Sequence, residues 1–135
     1  MKTIKGLALI SILTISTLAF IGWHPSKKKS PMATAKNVIV LLKFKSQPEK
    51  GDKTVLELTK LIEKVKEEPH FVSIKLHVDT KDPTNVLLYE EWEDASYYNN
   101  EHMDTDHIKS FMANSTNFLS GPPDITFWEV QRVFE

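Results

Sequence analysis

The apolar and polar positions divide the chain into an N-terminal apolar run and a patterned remainder. Residues 6–23 (GLALISILTISTLAFIGW) contain no charge, and two lysines precede them. A basic start followed by an apolar run of this length is typical of a secretory signal or a membrane anchor. Residues 24–36 are polar and broken by proline, which favours a tether. We therefore predict a signal or anchor segment over residues 1–23, a linker over 24–36 and a folded domain over 37–135.

The location of the protein depends on how this N-terminal segment is processed. The small-residue cleavage pattern is poor inside the apolar run, and the better candidate, Ala33-Thr34-Ala35, lies well beyond it. These features favour an uncleaved anchor over a cleaved signal, so we expect a membrane-anchored or exported protein that meets the membrane through this segment only. Translation from Met32 would instead give a cytoplasmic domain.

The first half of the domain predicts a strand, a helix and a second strand. Val38–Lys45 (VIVLLKFK) is rich in β-branched residues and precedes a proline-containing turn, so it is a strand. A helix follows, with Asp52 as its N-cap. Its apolar residues recur at helical spacing: Val55, Leu58, Ile62 and Val65. Phe71–Asp79 alternates with period two, and one face of this strand carries Val72, Ile74, Leu76 and Val78.

The second half completes a sheet. Residues 80–85 (TKDPTN) predict a turn, so the second strand folds back onto a third, Val86–Trp92. Asp94 begins a helical region that breaks once near Thr105, and Ile125–Val133 is the last strand. The order β-α-β-β-α-β is that of a ferredoxin-like α+β subunit with both helical segments on one face. Because the other face also carries large residues, we expect a homodimer whose sheets meet as a dimeric α+β barrel.

Composition excludes several partners. Lys and Arg number 17 against 18 Asp and Glu, and no stretch of the domain is strongly basic, so we expect no nucleic-acid binding. The chain has no cysteine, which excludes disulfides and thiolate metal sites.

Short motifs resemble one known family. Glu91-Trp92-Glu93-Asp94 closes the third strand, and His102 and His107 follow, five residues apart, before Phe111. With the order of elements, these motifs resemble the antibiotic biosynthesis monooxygenase family, in particular its branch of small quinol monooxygenases. The resemblance implies a pocket between sheet and helices. It also implies oxygenation of a small phenol or quinol by molecular oxygen, with no metal, flavin or haem as cofactor.

The resemblance also suggests catalytic residues. Trp92 ends a strand where the pocket of the family opens, although a core tryptophan fits the same pattern. His107 is expected in the first turn of a helix, where the helix dipole favours a neutral imidazole that can accept a phenol proton. We predict His102, His107 and Trp92 as catalytic residues, with His102 no more important than His107. A surface or cap position is the alternative for the histidines.

Three further residues are candidates for substrate binding. Tyr89, Glu90 and Phe111 lie on the third strand and the second helical region, near Trp92 and the histidines. Glu90 or its neighbour Glu91 must point toward a covered face, where it serves as a pocket base or is satisfied by a nearby Lys or backbone group. Arg132, on the predicted last strand, would bind an anionic oxygen or lie exposed at the strand end.

Two cofactor hypotheses are disfavoured. The stretch His102-Met103-Asp104-Thr105-Asp106-His107 has metal-binding residue types but lacks the rigid spacing of a known site. A haem-degrading branch of the same superfamily needs an Asn, a Trp and a His at positions that this sequence fills with other residues. The leading hypothesis is therefore a cofactor-independent monooxygenase. A non-catalytic small-ligand-binding or stress-associated module of the same fold is the alternative.

Overall fold

The computed structural model describes residues 37–135, so the predicted signal or anchor segment and the linker lie outside the described residues. Between residues 37 and 135, no helix combines the length and the apolar character needed to cross a membrane.

The described residues form one four-stranded antiparallel sheet and a layer of helices. The elements in chain order are β1 (Val38–Lys45), α1 (Gly51–Val65), β2 (Phe71–Val78), β3 (Asn85–Trp92), α2 (Ala95–Asn99), a 3₁₀ turn (His102–Asp104), α3 (Asp106–Ser115) and β4 (Asp124–Glu129). The strand order in the sheet is β2-β3-β1-β4, with every neighbouring pair antiparallel. This is the predicted ferredoxin-like α+β subunit, and the prediction of the fold is confirmed.

Strict alternation in β3 sets the two faces of the sheet. Val86, Leu88, Glu90 and Trp92 are buried, whereas the residues between them are only half-buried. In the β1–β3 ladder, Leu88 lies opposite Leu42, so both point to the same face. Leu58 of α1, Tyr98 of α2 and Ile108 of α3 belong to the same buried cluster. All three helices therefore cover one face, and alternation places Glu90 and Trp92 beneath them.

The N-cap of α2 agrees with the predicted start of this helix, whereas the predicted N-cap of α1 needs a correction. Asp94 is the N-cap of α2, and its side chain accepts hydrogen bonds from the backbone N–H groups of Ser96 (2.7 Å) and Tyr97 (3.1 Å). The predicted N-cap of α1 was wrong by two residues, since Lys50 takes that position and Asp52 lies in the first turn. A carboxylate in the first turn still interacts favourably with the helix dipole.

A β-bulge corrects the predicted face of β2. Phe71 lies opposite Trp92 and Ser73 opposite Glu91, so the register shifts by one residue at Val72. The shift turns Phe71 into the core, where its ring meets Trp92 edge-on at 5.8 Å. Val72, which simple alternation placed with the core residues, is 38% exposed.

The last strand is shorter than predicted. β4 ends at Glu129, and the six residues that follow it are exposed. Arg132 therefore lies beyond the strand, in the exposed C-terminal segment.

The sheet face opposite the helices carries large apolar side chains. Leu41, Leu87 and Tyr89 are half-buried on this face, and Trp128, opposite Ile39, is 56% exposed. An open apolar sheet face of this kind is consistent with the expected packing of two sheets in a dimeric barrel.

We expect the domain over residues 37–135 to sediment as a dimer at micromolar concentration, because this face would otherwise remain in water. Leu87→Glu places a charge on the face and should shift the population to monomer. Leu56→Glu, at an exposed position of α1, is the matched control and should leave the dimer intact. A wild-type domain that sediments as a stable monomer would contradict the predicted assembly.

Candidate functional site

A cavity of about 160 Å³ lies between the sheet and the helices. Most of its wall is apolar and comes from three parts of the domain: Leu42, Phe44, Ile74, Leu88 and Ile125 of the sheet, Leu61, Ile62 and Val65 of α1, and Met103, Ile108, Phe111, Met112, Pro122 and Pro123 of the later segments. Three polar side chains interrupt this wall: Glu90, Tyr98 and His102. A largely apolar space with a few convergent polar groups is the usual form of a small-molecule site.

The Glu90 carboxyl group is held in the cavity wall by its neighbour on the same strand face. Residues two apart on a strand point the same way, so the indole Nε1–H of Trp92 donates to Glu90 Oε2 at 3.0 Å. Glu90 is only 4% exposed, and this burial raises the pKa of its carboxyl to about 7. The Trp92 hydrogen bond opposes the rise, and the nearby Glu68 carboxylate adds to it. Glu90 therefore exchanges its proton near neutral pH.

The His102 imidazole is enclosed by aromatic rings. It stacks on Tyr98 with centroids 4.7 Å apart and lies 4.7 Å from the Trp92 ring, and only 3% of the residue is exposed. Desolvation lowers the pKa of His102, while a hydrogen bond and the charge of Glu68 oppose this change. Burial also raises the pKa of the Tyr98 hydroxyl. The cavity wall thus favours a neutral imidazole beside a neutral phenol.

Glu68 connects the site to the helices, and the sequence analysis missed it. It lies in the turn between α1 and β2, and its side chain is only 6% exposed. The Oε2 atom lies 2.9 Å from Nδ1 of His102, and Oε1 contacts Nε2 of His107. Tyr97 donates its hydroxyl hydrogen to Oε2 at 3.2 Å. Glu68 stands in a charged run at a helix end, a pattern typical of solvated residues, and its two histidine partners are 34 and 39 residues away.

The predicted site residues separate into three groups in the structure. Glu90, His102 and Phe111 line the cavity. Trp92 is fully buried behind the wall, where it contacts the cavity-lining residues Glu90, Tyr98 and His102. His107 lies on the outer side of Glu68, with 27% of its side chain exposed, and borders a separate surface depression.

Tyr89, one of the predicted substrate-binding residues, does not line the cavity. Alternation in β3 turns it to the open face of the sheet, where the Lys75 ammonium group lies 5.3 Å from its ring centroid. Among residues 37–135, no group of three or more acidic or histidine side chains is arranged to hold a metal ion.

The strand order and the cavity define a ferredoxin-like α+β domain with a largely apolar space between its sheet and its helices. The family model of the antibiotic biosynthesis monooxygenases matches residues 37–114, more than half of the chain. The chain therefore belongs to the antibiotic biosynthesis monooxygenase family.

Solved structures agree on the fold. A crystal structure of an antibiotic biosynthesis monooxygenase is 23% identical, with a TM-score of 0.63, and the match covers 70% of this chain and 99% of that one. A conserved protein from Methanosarcina mazei Go1 is 21% identical, with a TM-score of 0.63, over 70% of this chain and 93% of that one. A protein of unknown function from Nitrosomonas europaea is 15% identical, with a TM-score of 0.64, and the match covers 76% of this chain and 96% of that one. A search of curated proteins found no match.

The raised pKa of Glu90 predicts a pH-dependent cost to stability. A carboxyl group that keeps its proton more tightly in the folded state stabilises the fold below its ordinary pKa of 4.5, and this contribution is lost as the pH rises to about 7. Glu90→Gln keeps an amide that can still accept from Trp92 and cannot ionise. We expect it to raise the free energy of unfolding at pH 8 by about 3 kcal/mol and to have little effect at pH 4.

Urea unfolding at pH 4 and pH 8, at one fixed protein concentration, measures this difference. Glu67→Gln removes the same charge from an exposed position and should show no such pH dependence. Equal effects of Glu90→Gln at both pH values would contradict the raised pKa.

Proposed function

We propose that the domain is a cofactor-independent monooxygenase of a small phenol or quinol, which binds in the cavity between the sheet and the helices. The observation that carries this proposal is the pairing of the His102 imidazole and the Glu90 carboxyl group in an otherwise apolar wall. Burial keeps the imidazole neutral and moves the pKa of the carboxyl into the neutral range. A neutral imidazole in a largely apolar cavity is suited to accept a proton from a substrate hydroxyl.

The size of the cavity limits the substrate to a single ring. Its volume of about 160 Å³ is close to that of an apolar protein cavity of about 150 Å³ that holds one benzene molecule. The neighbouring carboxyl groups of Glu68 and Glu90 disfavour an anionic ligand at this site. The substrate class that fits best is a neutral monocyclic phenol or hydroquinone.

The chemistry follows from removing the hydroxyl proton of the substrate. His102 accepts the proton from the O–H group, and Glu90 binds a second polar group of the ring. The resulting phenolate gives one electron to molecular oxygen, and the phenoxyl radical and superoxide then combine at a ring carbon. The peroxide takes back the proton from His102 and loses water as the ring C–H proton leaves. One oxygen atom stays on the ring as a carbonyl, and the other leaves as water.

Oxygen uptake with methylhydroquinone tests the proposal. His102→Ala should lower the rate by about 10²–10⁴-fold, which is the usual contribution of a general base. In the wild type, the rate should rise with pH as His102 loses its proton, with a midpoint below the ordinary imidazole value of 6.5 because burial lowers the pKa. His77→Ala removes an exposed histidine of β2 and serves as the matched control.

Two outcomes would overturn parts of this proposal. Equal uptake by wild type and His102→Ala, after subtraction of the enzyme-free oxidation, would show that this imidazole is not the base. Saturable binding of single-ring phenols without oxygen uptake would instead support a non-catalytic binding module.

A further inference from the structure

Glu68 is the one acidic side chain in the described residues to which two histidines and a tyrosine converge. His102 reaches Oε2 from the 3₁₀ turn, His107 reaches Oε1 from α3, and Tyr97 reaches Oε2 from α2. The carboxyl group itself comes from the turn after α1 and is almost fully buried. Four separate segments of the chain therefore meet at one carboxylate.

The contact with Glu68 selects one tautomer of His102. An ionised carboxylate only accepts hydrogen bonds, so the ring nitrogen that faces it, Nδ1, must carry the hydrogen. In the neutral ring the lone pair is then on Nε2, the nitrogen that remains for a ligand in the cavity. The opposite tautomer would place two lone pairs against each other at 2.9 Å.

His107 shares the same carboxylate from the outer side. The side chain of His107 is partly exposed, whereas His102 is enclosed. A positive charge on His107 neutralises part of the Glu68 charge that would otherwise stabilise a protonated His102. The charge of His107 accordingly acts to lower the pKa of His102.

We propose that Glu68 is a positioning residue that fixes the hydrogen of His102 on Nδ1 and leaves Nε2 as the base of the cavity, and that His107 adjusts the basicity of His102 through this carboxylate. The catalytic consequence rests on the proposed function, but the tautomer and the coupling do not. Of the other titratable groups nearby, Glu90 on β3 and Tyr98 on α2 line the same cavity as His102. Tyr97 on α2 and His107 on α3 contact the Glu68 carboxylate that His102 also contacts. Within the described residues, Glu68 is the one titratable residue that hydrogen-bonds to the His102 ring.

Nitrogen NMR of ¹⁵N-histidine-labelled protein tests the proposal without a substrate. In the wild type, neutral His102 should show a protonated Nδ1 and an unprotonated Nε2. Glu68→Gln should lower the pKa of His102 and mix its two tautomers, since the charge is lost and an amide both donates and accepts. His107→Gln keeps a donor to Glu68 without a charge and should raise the pKa of His102.

Glu67→Gln, which removes the neighbouring exposed carboxylate, is the control and should leave the His102 signals unchanged. A hydrogen on Nε2 of neutral His102 in the wild type would overturn the proposal without any variant. An unchanged pKa of His102 in a folded Glu68→Gln protein would overturn it as well.

Oxygen uptake then separates this proposal from the proposed function. If both hold, Glu68→Gln should lower kcat at least about tenfold and shift the pH profile, with a smaller change in KM. Absence of uptake in the wild type together with the expected NMR result would overturn the function and support the positioning role. Full uptake by Glu68→Gln with an unchanged pH profile would overturn the positioning role and leave the function standing.

Discussion

Burial of the Glu68 carboxylate is the interaction on which the arrangement of the helical layer depends. A charge removed from water is tolerated only when its hydrogen-bonding capacity is filled, and here Tyr97, His102 and His107 fill it. Each partner comes from a different segment of the second helical region, and none of these segments is longer than ten residues. Such short helices have little stability of their own. The shared carboxylate therefore ties the 3₁₀ turn and two short helices to the end of α1.

The cavity between the sheet and the helices is bordered by a buried aromatic cluster that positions its polar groups. Trp92 is fully buried and holds Glu90 on one side while it contacts His102 on the other. The rings of Phe71, Tyr97 and Tyr98 surround this indole. The position of Glu90 and His102 is thus set by a rigid aromatic cluster below the cavity and by a carboxylate behind it. The apolar wall remains free to take a ligand.

The sequence predicted the sheet and the order of its elements along the chain, because these follow from local periodicity, but it left open whether Glu90 or Glu91 points to the covered face. Period-two alternation in β3 placed Glu90 and Trp92 on one face and Tyr89 on the other, although Tyr89 was still grouped with the substrate-binding residues. The bulge at Val72 could not be predicted, since it becomes visible only when the register of β2 against β3 is known. The role of Glu68 could not be predicted from the sequence for the same reason. Its partners are far away in sequence, and only the packed structure brings them together.

The bulge in β2 also affects the outer edge of the sheet. Within residues 37–135, β2 is an edge strand, and an unpaired edge can recruit a strand from another molecule and start aggregation. The irregularity at Val72 interrupts the row of free backbone groups, so an incoming strand would lose its regular pairing there. β4, at the opposite edge, pairs with β1 in unbroken register. Uncontrolled growth of this sheet by strand addition is therefore blocked more strongly at β2 than at β4.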